Sequence, residues 1–229
     1  MACILNIETS TDVCSVAVSE NGACIFDEED HSGPNHAVKL GVFVDEALSF
    51  TDNHAIPFDA VAVSCGPGSY TGLRIGVSMA KGICYARDLK LIAVPTLELL
   101  CVPVLLRELV EEGALLCPMI DARRMEVYTA VYSAEGERLT PVEAQIVGPE
   151  SFAAYLDRGE VLFVGDGALK CQEVIGHPNA RFKEAWPFAR DMAKPAQKAF
   201  EEGEFENLAY FEPFYLKDFV ATVSKKKLW

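Results

Sequence analysis

The residues most suggestive of chemistry form a single run, Ser64-Cys65-Gly66-Pro67-Gly68-Ser69-Tyr70-Thr71-Gly72-Leu73-Arg74-Ile75-Gly76. It joins an apolar stretch that reads as a buried strand, residues 60–64, to an expected helix over residues 72–87. A glycine-rich turn in that place leaves backbone N–H groups unpaired at the positive end of the helix dipole, where Gly66, Gly68 and Ser69 would face an anion. The run has neither the closing Lys-Ser/Thr pair of a P-loop nor the G-x-G-x-x-G spacing. The same glycines also suit a purely structural turn that needs φ > 0, and both uses stay open.

The other reactive side chains are dispersed. The histidines stand at 31, 36, 54 and 177, too scattered to place a ligand pair on one helix face, so no metal centre is expected. His31 and His36 flank Gly33-Pro34, which reads as a helix-entry turn. The cysteines, at 3, 14, 24, 65, 84, 101, 117 and 171, contain no C-x-x-C pair and mostly lie in apolar runs. Buried, reduced thiols of a cytoplasmic protein are expected. Between two strand signals stands Asp121-Ala122-Arg123-Arg124-Met125. Its arginines can hold an anion through guanidinium hydrogen bonds or form structural salt bridges in this acidic chain, with Asp121 orienting them rather than serving as a base.

Charge narrows the function classes. The formal net charge of −14 over 229 residues is the wrong sign for gripping a phosphate backbone, so if nucleic acid matters to the function another chain should supply most of the positive surface. The one basic run, Lys225-Lys226-Lys227, reads as a solvated tail. No apolar run is long enough to span a membrane, and the start of the chain lacks the basic region of a signal peptide.

The elements that must position these residues fall in two similar series. Residues 4–7, 14–18 and 23–26 read as three strands, with Asn21-Gly22 as a tight hairpin turn. A helix is expected over 34–50 with Pro34 in its first turn, then the strand, loop and helix already described. A strand over 91–94 follows, with Thr96 placed to cap another helix that Pro103 kinks or restarts. Strands recur at 115–120, 126–132 and 138–146, then a short helix over 151–156, a strand over 161–164 and a long helix over 188–202. The order βββαβα, repeated, predicts an α/β protein of two lobes, residues 1–104 and 105–229, with residues 206–229 packing back on the first.

Two helices carry a second signal. On residues 34–50 a helical projection places Ala37, Leu40, Gly41, Val44 and Leu48 on the core face, and Val38, Val42, Phe43 and Phe50 on the outer side among charges. Exposed Val and Phe of that kind suit a surface covered by another chain. In the next helix Gly72, Gly76 and Ala80 recur every four residues beside Met79 and Ile83. Small residues in a row admit either a partner helix or the chain's own sheet.

Ile7-Glu8-Thr9-Ser10-Thr11 with Cys14-Ser15-Val16-Ala17-Val18 resembles the opening hairpin of the actin-like ATPase superfamily. The loop GPGSYTGLRIG, the segment DARRMEVY, Gly165-Asp166-Gly167-Ala168 and Pro213-Phe214-Tyr215-Leu216 resemble, in order, motifs of the TsaB (YeaZ) family. The resemblance implies a two-lobed actin-like (ribonuclease-H-like) fold. It also implies a non-catalytic, activating role beside a TsaD-type subunit in forming N6-threonylcarbamoyladenosine at position 37 of tRNA. A TsaE-type ATPase as further partner, and a homodimer of the free chain, belong to the same expectation. It implies no tightly bound cofactor, with ATP or ADP at the junction with the catalytic partner and contacts from Thr9, Ser10, Gly66, Gly68, Ser69 and Arg123. Through the same resemblance Val38, Val42, Phe43, Phe50, Gly72, Gly76, Met79, Ala80 and Ile83 become the expected partner surface. Where the catalytic paralogue carries a His-x-x-x-His pair, this chain reads Thr96-Leu97-Glu98-Leu99-Leu100-Cys101, and its second-lobe turn carries arginines in place of glycines. Glu8 and Met125 also depart from the family's usual Asp and Gly. An ATP-dependent small-molecule kinase and a metallopeptidase are the rival readings on this fold. Glycine in the second-lobe turn would favour the first, histidine pairs the second.

Overall fold

The computed structural model describes residues 2–33, 35–106 and 113–217. Pro34 and the run Lys225-Lys226-Lys227 lie outside the described residues, as does the end of the expected 206–229 segment.

The first sheet has the order β3-β2-β1-β4-β5, built from Cys3–Glu8 (β1), Cys14–Glu20 (β2), Ala23–Asp30 (β3), Ala60–Gly66 (β4) and Lys90–Pro95 (β5). β1 pairs antiparallel with β2 and parallel with β4. Alternation divides the central strands between two faces. Leu5, Ile7, Val61 and Val63 pack under the helices His36–His54 (α1) and Tyr70–Arg87 (α2). Ile4, Ala60, Ala62 and Ile92 face the other way. The Asn21-Gly22 turn forms as expected, with φ of 51° and 76°.

The second sheet repeats this plan. Its strands are Leu115–Asp121 (β6), Glu126–Thr129 (β7), Glu143–Ile146 (β8), Val161–Val164 (β9) and Ala180–Lys183 (β10), in the order β10-β9-β6-β7-β8. β6 again pairs antiparallel with the next strand and parallel with β9. The short helices Ala153–Leu156 (α4) and Ala168–Gln172 (α5) lie on the face of Cys117, Met119 and Phe163. Thr96–Leu106 (α3) sits between the lobes: Leu97, Leu100 and Val104 pack against the second sheet, Leu99 against the first. Thr96 is the first residue of this helix rather than its cap, and Pro103 lies inside it.

Three expectations are corrected. The strand read over 138–146 is only Glu143–Ile146, and Arg138 makes an isolated bridge to Tyr132. The long helix over 188–202 begins as a 3-10 turn, Ala189–Met192, before Ala193–Glu202 (α6). Finally, the return to the first lobe comes earlier than residue 206. Met192 and Ala196 are fully buried against Ile4, Ala60 and Ile92, and Ala189 N donates to Ser15 Oγ at 2.9 Å. The apolar back of the first sheet requires that cover, so the second lobe is an insertion between α3 and the 3-10 turn.

Candidate functional site

Because the lobes repeat one topology, equivalent turns meet at their junction. The turn after β1 faces the turn after β6, and the loop after β4 faces the loop after β9. Ser10, Thr11, Asp12, Gly68, Ser69, Asp121, Arg123 and Asp166 line the resulting cleft of about 730 Å³, with Trp186 and Tyr215 as aromatic walls.

On the first-lobe side the glycines are fixed by close approach. A Cβ on Gly68 would stand 2.5 Å from Ser10 O, and Ser69 N donates to that oxygen at 2.7 Å. A Cβ on Gly72 would fall 2.0 Å from Thr9 O, and one on Gly76 2.3 Å from Thr9 Oγ1. Thr9 Oγ1 donates to Gly72 O at 2.8 Å, so the side chain of Thr9 is spent on α2. Ser69 caps that helix, accepting from Gly72 N at 3.3 Å. His36, buried in the first turn of α1, holds Thr11 O at 2.8 Å through Nε2. The sequence had marked this histidine only as part of an entry turn.

Beneath the turn lies Glu8, fully buried. Its Oε1 accepts from Ser10 N at 2.5 Å, while loss of water dominates and pushes its pKa up to about 7. The hydroxyls of Ser10 and Thr11 are buried at the cleft; that of Ser10 lies beside the Glu8 carboxyl, and that of Thr11 has no hydrogen-bond partner among the described residues. With Ser69 and the guanidinium of Arg123 they can receive an anion on the first-lobe side.

The second-lobe side is built differently. Gly165 and Gly167 allow β6 to approach, since added Cβ atoms would lie 2.1 Å from Met119 O and 3.0 Å from Asp121 N. Asp166 Oδ1 accepts from Asp121 N at 3.0 Å, and burial raises the Asp166 carboxyl to about 6. Arg123 and Arg124 occupy the turn itself with φ of 72° and 51°. Neither forms a salt bridge among the described residues; Asp121 Oδ1 accepts from Arg123 N at 2.5 Å and pairs with Lys170 at 2.9 Å. Side chains thus stand where two facing glycine turns would offer open backbone to a nucleotide's phosphates, so only the first-lobe half fits such a group. Among the described residues no cluster of His, Cys, Asp or Glu is placed to hold a metal.

Of the six residues expected to contact a ligand, Ser10, Gly68, Ser69 and Arg123 reach the cleft. Thr9 does not, being turned into α2, and Gly66 instead approaches Phe214, whose carbonyl would lie 2.6 Å from its Cβ. Asp166, Trp186 and Tyr215 come from distant segments, and no local pattern could have joined them to it.

A second concavity, about 910 Å³, opens on the outside of the first lobe between α1 and α2, lined by Leu48, Tyr70, Ile75, Met79, Ile83 and Ala86 among others. Burial around it removes four residues, Phe43, Gly72, Gly76 and Ala80, from the expected partner surface. Phe43 is core, only 7% exposed, since the buried stripe of α1 is His36, Leu40, Phe43, Val44, Ala47 and Thr51. That register hides the ring of Phe43, whereas the one expected would have hidden Gly41, and the larger apolar area wins. Ala37 and Gly41 are exposed instead. Gly72, Gly76 and Ala80 are buried against the chain's own sheet and offer nothing to a partner. Phe50 is half-buried, its ring 5.2 Å from that of Phe26. Val38 and Val42 are exposed, and Met79 and Ile83 half-exposed. Six of the eight cysteines are buried, all are free, and Cys24 is exposed.

Comparison with known proteins follows the same lines. A family model described as TsaD, tRNA N6-adenosine threonylcarbamoyltransferase, matches residues 30–225. The tRNA threonylcarbamoyladenosine biosynthesis protein TsaB of Escherichia coli (strain K12) is 28% identical over 226 residues, covering 95% of this chain and 96% of that one. Its namesake from Bacillus subtilis (strain 168) is 32% identical over 139 residues, 61% of this chain and 58% of that one. YeaZ from Pseudomonas aeruginosa superposes with a TM-score of 0.76 at 26% identity, over 94% of this chain and all (100%) of that one. A second Pseudomonas aeruginosa structure, a protein with similarity to peptidase YEAZ, superposes with a TM-score of 0.79 at 26% identity, over 95% and 100% of the two chains. With a family model matching most of its length, TsaB relatives aligned along it and YeaZ folds superposing on both lobes, this chain belongs to the TsaB (YeaZ) family and has its two-lobed actin-like fold.

Proposed function

We propose that the chain is a non-catalytic subunit in the formation of N6-threonylcarbamoyladenosine on tRNA, and that it docks a TsaD-type catalytic partner along the α1–α2 groove. The observation that carries this reading is the groove: a mostly apolar trough between two helices, with Arg74 and Arg87 in its lining, on the outside of a molecule whose net charge is −14. Covering the remaining exposed area of half-exposed side chains such as Met79 and Ile83 contributes about 1 kcal/mol each. The cleft supports the non-catalytic part, because Asp121 and Asp166 are tied to lysine and backbone and its second-lobe turn is filled by Arg123 and Arg124. In this reading ATP or ADP belongs at the junction with the partner, a TsaE-type ATPase joins the pair, and tRNA is gripped by the other chains. No helix among the described residues is long and apolar enough to cross a membrane.

Substitutions that fill the groove test it without removing a core contact. A Cβ at Gly82 meets nothing within 4 Å, and Ala86 is exposed. Gly82→Arg with Ala86→Arg should leave the fold and melting temperature intact while abolishing co-purification with a TsaD-type chain. Modification of tRNA by the reconstituted mixture should fall with it. Retained binding by the folded variant would place the interface elsewhere.

A further inference from the structure

After α6 the chain runs as an extended strap, residues 204–217, back across the first lobe. Its seat there is extensive. Glu206 N donates to Leu91 O at 2.9 Å and Phe214 N to Cys65 O at 2.7 Å. Lys81 Nζ reaches over from α2 to Phe211 O at 3.0 Å, and Leu208 and Phe211 pack on the first-lobe core. The approach of Phe214 O to Gly66 belongs to the same seat. Beyond it the strap turns into the cleft, where the Tyr215 ring lies 4.9 Å from that of Tyr70 and Tyr215, Leu216 and Lys217 form one wall. The Lys217 ammonium then crosses to the second lobe and pairs with Glu126 of β7. Glu126 is held in place from behind, since Lys170 Nζ donates to its carbonyl at 2.7 Å and to Asp121 at 2.9 Å.

The two attachments are unequal. On the first lobe the strap has backbone hydrogen bonds and the partly buried side chains of Leu208 and Phe211; on the second it has, among the described residues, an ion pair whose side chains are 41% and 21% exposed. Pairs in such positions gain little over water and are screened by salt. We propose that residues 204–217 form a latch: seated on the first lobe, the strap ties the two lobes together across the cleft through Lys217 and Glu126, and release of that pair lets the cleft widen and its Trp186 wall become more open to solutes. A grip this weak keeps closed and open forms within a few-fold of each other, so modest changes in ionic strength or charge reset the cleft.

Trp186 in the cleft wall provides the readout, and Trp229→Phe leaves it as the sole tryptophan. In that background Lys217→Ala and Glu126→Gln should each raise acrylamide quenching of Trp186 roughly two- to five-fold, the range a surface pair controls. About 0.5 M salt should do the same to the parent and add nothing to either variant. The charge swap Glu126→Lys with Lys217→Glu should bring quenching back toward the parent. Quenching that is unchanged in both single variants, or a parent indifferent to salt, overturns the latch. The salt arm needs no substitution in the pair, so it decides the matter even where a variant fails to fold.

Discussion

Replacing Gly76 by alanine asks whether the small-residue face of α2 serves the chain's own sheet. An ideal Cβ at this position would stand 2.3 Å from Thr9 Oγ1 and 3.5 Å from Val63 Cγ2. The hydroxyl must move, and it takes with it the 2.8 Å bond to Gly72 O. Overpacking of this kind costs about 1–3 kcal/mol and the lost buried hydrogen bond about 1. Alanine in place of glycine in a helix returns about 1 kcal/mol. The net expectation is a loss of roughly 1–3 kcal/mol, or about 3–10 °C in melting temperature for a chain of this size. Thr9→Ala removes the obstructing oxygen, so the double variant should be no less stable than Thr9→Ala alone. A double-mutant cycle by urea unfolding should then show a coupling of about 2 kcal/mol, with partner affinity of the folded Gly76→Ala protein unchanged. Additivity within about 0.5 kcal/mol refutes the contact, and lost affinity at full stability shows that α2 turns this face to a partner after all.

Glu8→Gln tests the buried carboxyl. Folding raises its pKa from 4.5 to about 7, so below the unfolded value both states are protonated and nothing is lost. As pH climbs through that interval the unfolded chain ionises first, and the wild type loses up to about 3 kcal/mol relative to the variant by pH 8. A stability difference that stays flat between pH 4.5 and 8 sinks this account. Gly68→Val drives a side chain into Ser10 and should lower the melting temperature together with partner binding; selective loss of ligand affinity at full stability would instead mark a working anion site. Phe43→Ala should cost about 3–5 kcal/mol in unfolding experiments, while Val42→Ala stays within about 0.5. In the native protein Cys24 should react first with a thiol reagent, because Cys65 is only partly accessible with its thiol pushed up to about 12, and the remaining six are buried.

Legibility followed the range of the interactions. Asn21-Gly22 and the glycine run after β4 are local signals, and they located the hairpin and the cleft loop within a few residues. The lobes' shared order was legible because each strand carries its own alternation. The strand Ala180–Lys183 was not, since it is a short, half-exposed edge strand whose identity comes from pairing with β9. Phe43 was misplaced because two neighbouring stripes of α1 both contain Leu40 and Val44, and only the sheet beneath decides between them. The same limit hid His36, Trp186 and Lys217, whose roles rest on partners at positions 11, 31 and 126.

The position of the second lobe as an insertion has a consequence during synthesis. Its sheet, residues 115–183, is contiguous and can close as soon as those residues leave the ribosome. The first lobe has all five of its strands by residue 95, yet the residues that cover the back of its sheet, Met192 and Ala196, emerge about a hundred residues later. For that interval Ile4, Ala60, Ala62 and Ile92 lie on an apolar face that has Leu99 beside it but lacks Met192 and Ala196. The lobe begun first is therefore the one finished last, and the nascent chain offers a chaperone its chief target in that waiting sheet.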